Sequence, residues 1–337
     1  MKKGCLIAIG LFVALLAMAA VAAVAAYSKF DKEMGISEAP PFSHETEATP
    51  ETRLRVVLRP ELLKDMLGQL AVVKQVYAES MPPSLASSFK LEDILDMALP
   101  REAALLGTPD FSKGVLNLSL FVNEKRGGPA LVSELNKNNT LAGIKQIKWT
   151  TDGMEIPERG IMRAAGTLAI PDTLEQKIME NWKNKAAVEP LLVEGGHHLE
   201  AVLDNRNGDA LTLVACAAAA SGNDWEELLN GQYGNMILNT LVLIHDVRLT
   251  ADLLDFDTLK ALVRLDTTSE GGPGLQFILA GFWPQIVAEA RAKQGLIIEG
   301  DPVWDADKSA IMMDLKITGL QKLIEEKTGA TIGGAAS

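Results

Sequence analysis

Two periods run through this chain. Apolar residues alternate with polar ones at Leu116, Leu118, Leu120 and Val122, and again at Val247, Leu249, Ala251 and Leu253. The same alternation holds at Leu259, Ala261, Val263 and Leu265, and at Ile311, Met313, Leu315 and Ile317. A period of two puts the apolar side chains of a stretch on one face, so each stretch is predicted as a half-buried strand. Shorter runs at 54–58, 144–150, 161–170 and 199–203 are predicted as strands too.

The helical period appears elsewhere. Leu62, Leu63, Met66, Leu67, Leu70, Val73 and Tyr77 form a wide apolar stripe behind Pro60, a residue suited to a first helical turn. Further helices are predicted around 91–99 and 130–135, from Asp172 with Glu175 as a capping-box pair, from Asp224, over 275–293, and after Gly319. Residues 209–220 read as a helix, with a hairpin turning at Asn207-Gly208 as the alternative.

The order of these elements repeats. Leu54 pairs with Leu199 at an offset of 145, Gly127-Gly128-Pro129 with Gly271-Gly272-Pro273 at 144, and Leu168 with Leu315 at 147. Each Gly-Gly-Pro follows a strand and precedes an apolar segment, as a turn entering a helix would. One-sided strands suit antiparallel sheets with one face covered by helices. The expected fold class is α+β: two tandem, weakly similar units with mainly antiparallel sheets, over 53–185 and 186–328. Their interface is a natural place for a groove. Residues 329–337 are small and Gly-rich and are expected to form a tail.

The N-terminus changes the setting. No charge occurs from Cys5 to Tyr27, behind Lys2 and Lys3. A run of about 20 apolar residues spans a bilayer, and basic residues stay on the cytoplasmic side. Residues 1–30 are therefore expected to be a transmembrane helix crossing through 5–27, with the body outside the cytoplasm. A cleaved signal peptide is the alternative, because Ala20-Val21-Ala22 and Ala23-Val24-Ala25 fit its cleavage pattern. Residues 31–52, acidic and Pro-containing, read as a linker in which His44 is solvated. Cys5 precedes the apolar run, so it does not fit a lipoprotein cysteine.

Charge narrows the partners. The net charge is −12, and −14 without Lys2 and Lys3. Such a body repels phosphate backbones, so no nucleic-acid partner is expected.

Candidate chemistry is sparse. Cys216 lies among small apolar residues without a basic neighbour, which reads as a buried structural thiol. His197 and His198, with Glu194 and Glu200 nearby, could suggest a metal. Adjacent strand residues point to opposite faces, however, so a loop-to-strand entry is the reading. His245 has no partner the sequence names. Asp301, Asp305 and Asp307 have Ala306 and Met312 where a calcium loop needs glycine and glutamate, so they read as a solvated hairpin loop. The sequon at Asn117 falls in a predicted strand, and the one at Asn138 is a short pattern. No catalytic residue, cofactor or metal site is assigned.

These readings point to a non-enzymatic, membrane-anchored binding or scaffold protein of the cell envelope, held in the cytoplasmic membrane with its N-terminus inside. The alternative is a carrier or sensor of an apolar, lipid-like ligand between the two halves, suggested by few aromatics and many Leu, Met and Ala.

Overall fold

The computed structural model describes residues 47–70, 73–74, 77–78, 90–123, 148–149, 155–158, 161–170, 195–206 and 243–328. They form one mixed α+β body around a twelve-stranded sheet. The strands are β1 (Leu54–Leu58), β2 (Glu102–Asp110), β3 (Val115–Asn123), β4 (Lys148–Trp149), β5 (Glu155–Glu158) and β6 (Ile161–Ala169), then β7 (Leu199–Asp204), β8 (Ile244–Leu253), β9 (Thr258–Thr267), β10 (Ile297–Glu299), β11 (Val303–Asp305) and β12 (Ala310–Thr318). Their order is β10-β12-β9-β8-β7-β1-β2-β3-β6-β4, with β11 also paired to β12 and β5 to β6. Every described pairing is antiparallel.

The seam at the middle of the sheet joins β1 to β7. Leu54 pairs with Leu203, Val56 with Ala201 and Leu58 with Leu199. The two strands are thus hydrogen-bonded along the length of β1, with no crevice between them.

Helices α1 (Lys64–Leu67), α2 (Leu91–Ala98), α3 (Gly272–Gln294) and α4 (Leu320–Thr328) accompany the strands among the described residues. Leu63, Leu67, Leu95, Leu275, Leu320 and Leu323 pack in one core with Leu58, Leu199, Ala251, Leu265 and Leu315. This core lies on the face defined by the alternating apolar residues, as the period of two requires. The opposite face is also buried at the centre of the sheet, where Val57, Ala104 and Val202 cluster beside Arg55 and Glu200.

The predicted strands at 54–58, 199–203, 247–253, 259–265 and 311–317 all lie within observed strands. β2 was not predicted. Its Gly107 and Pro109 disguise it, yet it pairs fully with β3. Pro109 fits because its nitrogen points the same way as Gly107, whose carbonyl meets Arg53 just beyond the start of β1.

The stripe from Leu62 to Tyr77 is not one helix over its described residues. Pro60–Leu63 is a 3₁₀ turn, α1 lasts four residues, and the chain leaves it through Gly68. Three residues per turn rotate the face, so Leu63 and Leu67 go inward while Leu62 is exposed.

The second Gly-Gly-Pro opens a helix, as expected: Gly271 is the N-cap of α3 and Pro273 lies in its first turn. The first triplet, the sequon at Asn138, the helices expected at 130–135, from Asp172, over 209–220 and from Asp224, and Cys216 lie outside the described residues. So do residues 1–46, with Cys5, His44 and the expected membrane span at 5–27. Among the described residues, no helix is long and apolar enough to cross a membrane.

Candidate functional site

Three features collect the chemistry of the body. The first is where β1 ends and β7 begins. Gly195 and Gly196 both have φ near +90°, which turns the chain sharply into His197. Arg59 follows β1 and grips this bend. Its Nη1 lies 2.9 Å from Glu200 Oε1 and its Nη2 donates to Glu200 Oε2 at 3.2 Å. Nη1 also donates to the His197 carbonyl at 3.0 Å, and the Arg59 backbone N–H to that of His198. Glu200 is buried and takes a further bond from the His197 N–H.

Asp252 on β8 closes this cluster. Its Oδ2 is 2.6 Å from His197 Nδ1, and its Oδ1 accepts from the His198 N–H at 3.0 Å. His198 Nδ1 accepts from the Leu253 N–H, so Nε2 carries the proton and donates to the Leu62 carbonyl at 3.3 Å. Burial raises the Asp252 carboxyl, but the bonds from His197 and His198 outweigh it and hold it below the ordinary carboxylate range. His197 and His198 precede β7 in a bend, so both reach Asp252, one by its ring and the other by its backbone. Among the described residues no three of His, Cys, Asp and Glu form a group suited to a metal ion.

The second feature crosses three strands on the face opposite the helices. Asp204, Asp246 and Asp266 stand directly opposite one another on β7, β8 and β9. Two residues along, Arg248 stands opposite Arg264, and Arg206 flanks Asp204. Arg206 clasps Asp204 through Nε at 3.0 Å and Nη2 at 2.7 Å. Arg248 Nε donates to Asp246 Oδ1 at 3.0 Å, and Arg264 Nε to Asp266 Oδ1 at 3.0 Å. Burial, then the hydrogen bond with Asp266, pushes the Asp246 carboxyl up to about 6. Arg248 Nε also lies 3.7 Å from Asp266 Oδ2, so the two carboxylates share one guanidinium. Period-two reading took these strand positions for a wet face. The recurrence of Asp-x-Arg at 204–206 and 246–248, and Arg-x-Asp at 264–266, was the signal available.

The third feature is α3. It carries no charged residue from Gly272 to Ala288. Leu275, Leu279, Trp283 and Ala290 face the core. Trp283 Nε1 donates to the Gly300 carbonyl at 2.7 Å, and Gln276 Nε2 to that of Pro302. The Trp304 ring fills the place of a side chain at Gly272. The outward stripe is also mostly apolar: Pro273, Phe277, Ala280, Gly281, Pro284 and Ala288 are exposed, Phe277 by 81%, with Gln285 the polar residue among them. A surface helix ordinarily turns a polar face to water.

The other sequence candidates stay apart. His245 is exposed on β8. Asp301, Asp305 and Asp307 lie at or around the β11–β12 hairpin. The Lys308 N–H and then its ammonium hold Asp305 below its usual range. Asn117 lies within β3, paired to Thr108 and Thr167. Glu194 is outside the described residues.

No protein-family model matches the chain, and no curated protein does. A solved structure, crystal form I of TP0453, is similar at 9% identity and a TM-score of 0.30, over 84% of this chain and 97% of that one. A likeness of that size carries no argument about fold or function.

Proposed function

We propose that this chain is a membrane-anchored, extracytoplasmic binding protein of the cell envelope, without catalytic activity, and that α3 is its binding face. The observation that carries the reading is the outward stripe of α3, uncharged from Phe277 to Ala288 and apolar but for Gln285, where solvent should meet charge. Exposed apolar patches of this kind mark interaction sites. The two polar clusters support it from the other side, because their side chains are engaged with one another: Glu200 with Arg59, Asp252 with His197, Asp204 with Arg206. The alternative, an apolar ligand between the halves, has less support, since β1 and β7 are directly paired there.

The body is in this reading two copies of one unit. The path β1-β2-β3-β6-β4 on one side of the seam matches β7-β8-β9-β12-β10 on the other, and β5 joins β6 as β11 joins β12. An experimental structure in which β1–β6 fail to superpose on β7–β12 overturns the duplication.

The setting is tested with a reporter fused after Ser337 and alkaline extraction of membranes. The expected result is reporter activity only outside the cytoplasm and retention of the full chain in the membrane fraction. A cytoplasmic reporter signal, or release by alkali, overturns the reading.

A further inference from the structure

The exposed stripe of α3 needs an occupant, and the geometry points to a lipid surface: we propose that α3 lies on the bilayer that anchors the chain, with Phe277 and the residues below it in the interfacial layer. This rests on the proposed reading that residues 5–27 hold the chain in a membrane.

Reach supports it. Only residues 28–46 separate the apolar run from the described body. A linker of that length extends to about 65 Å at most and averages about 25 Å when flexible. The body therefore stays beside its own membrane, at a local lipid concentration no free partner matches.

Shape and chemistry support it too. The outward stripe Phe277, Ala280, Gly281, Pro284 and Ala288 follows i, i+3/i+4, i+7, i+11, a straight ridge along one side of the helix with the exposed amide of Gln285 beside it. Small residues and one projecting ring make a ridge without a pocket, which suits an unstructured surface better than a shaped protein groove. The uncharged run of α3 ends at Glu289, which pairs with Lys293, and Arg291 stands exposed in the last turn. The far side of α3 is tied down through Trp304 at Gly272 and Trp283 at Gly300, so the ridge is presented by a fixed helix. The acidic body makes an electroneutral lipid surface the fitting partner, because an anionic one repels it.

The test uses the full chain, with Cys5→Ser and Cys216→Ser, reconstituted in phosphatidylcholine vesicles brominated on their acyl chains. One environment-sensitive fluorophore is attached at Ala280→Cys on the ridge, or at Leu254→Cys, an exposed position in the β8–β9 turn. The label at 280 should be quenched several-fold more than the label at 254, and adding Phe277→Asp should abolish the difference. Equal quenching at both sites overturns the inference. So does energy transfer between copies labelled at 280 that persists on dilution in lipid, because it assigns the ridge to a second copy. Either result leaves the anchored binding reading intact, provided the chain resists alkaline extraction with its body outside. Loss of that retention is the separate failure of the reading itself.

Discussion

The indole of Trp304 on β11 fills the space beside Gly272 that a β-carbon would need. One glycine of the triplet thus serves close approach of helix to sheet, and the proline beside it serves the first helical turn. Gly272→Ala is expected to destabilise the protein by about 1–3 kcal/mol, since the ring must move. Gly274→Ala and Gly281→Ala meet nothing within 4 Å. Each should be neutral or stabilising by up to about 1 kcal/mol. Urea unfolding of the three variants separates these outcomes. A tolerated Gly272→Ala removes the packing account of the triplet.

Arg59 and Glu200 staple the two sides of the central seam. Removing one partner of a buried pair strands the other, so Arg59→Met should cost about 3 kcal/mol. The double variant Arg59→Met with Glu200→Leu should recover much of that loss. A double-mutant cycle in urea checks this, and additive losses would deny the pairing.

The Asp246–Asp266 pair gives the body a particular pH response. The Asp246 carboxyl titrates at about 6 in the fold, above its unfolded value of 3.8. The folded state therefore holds more protons between those values, and stability falls as pH rises from about 4 to 6. The size is on the order of 1 kcal/mol after allowing for partial exposure. Asp246→Asn keeps a donor toward Asp266 and should flatten the slope. Thermal unfolding across that range reads it directly, and an unchanged slope in the variant refutes the raised Asp246 carboxyl.

Asp252 works in the opposite direction. Its carboxyl is held low by the His197 and His198 bonds, so its contribution is present above the ordinary carboxylate range and is lost as pH falls below about 4. Asp252→Ala should cost about 1 kcal/mol at neutral pH by removing the acceptor of two half-buried donors, the His197 ring and the His198 N–H. It should also loosen the bend at 195–198. Hydrogen exchange at the His198 amide is the sensitive readout, and protection equal to the parent protein would count against the role.

The strands of the second half were legible because their apolar side faces a helix-covered core. Leu259, Ala261, Val263 and Leu265 needed only the period of two. β2 was not legible, because Gly107 and Pro109 mark turns when read locally. They are admitted here because Gly107 packs against Leu54 and the Pro109 nitrogen points past the end of β1. The α1 region was misread for a related reason: its residues fit a helical stripe, but a 3₁₀ start at Pro60 and an exit at Gly68 reset the phase.

Local sequence was enough for the alternation of the strands, the helix starts that follow Gly271 and Gly319, and the acidity of the chain behind an apolar N-terminal run. Those are local properties, set by side-chain periodicity, propensity and charge. The tertiary structure decided that β1 pairs with β7, that Asp204, Asp246 and Asp266 fall in one row, and that the ridge of α3 faces outward. Cross-strand register depends on which distant strand supplies the partner, and the exposure of a helix face on what packs around it. Neither quantity is a function of the local sequence.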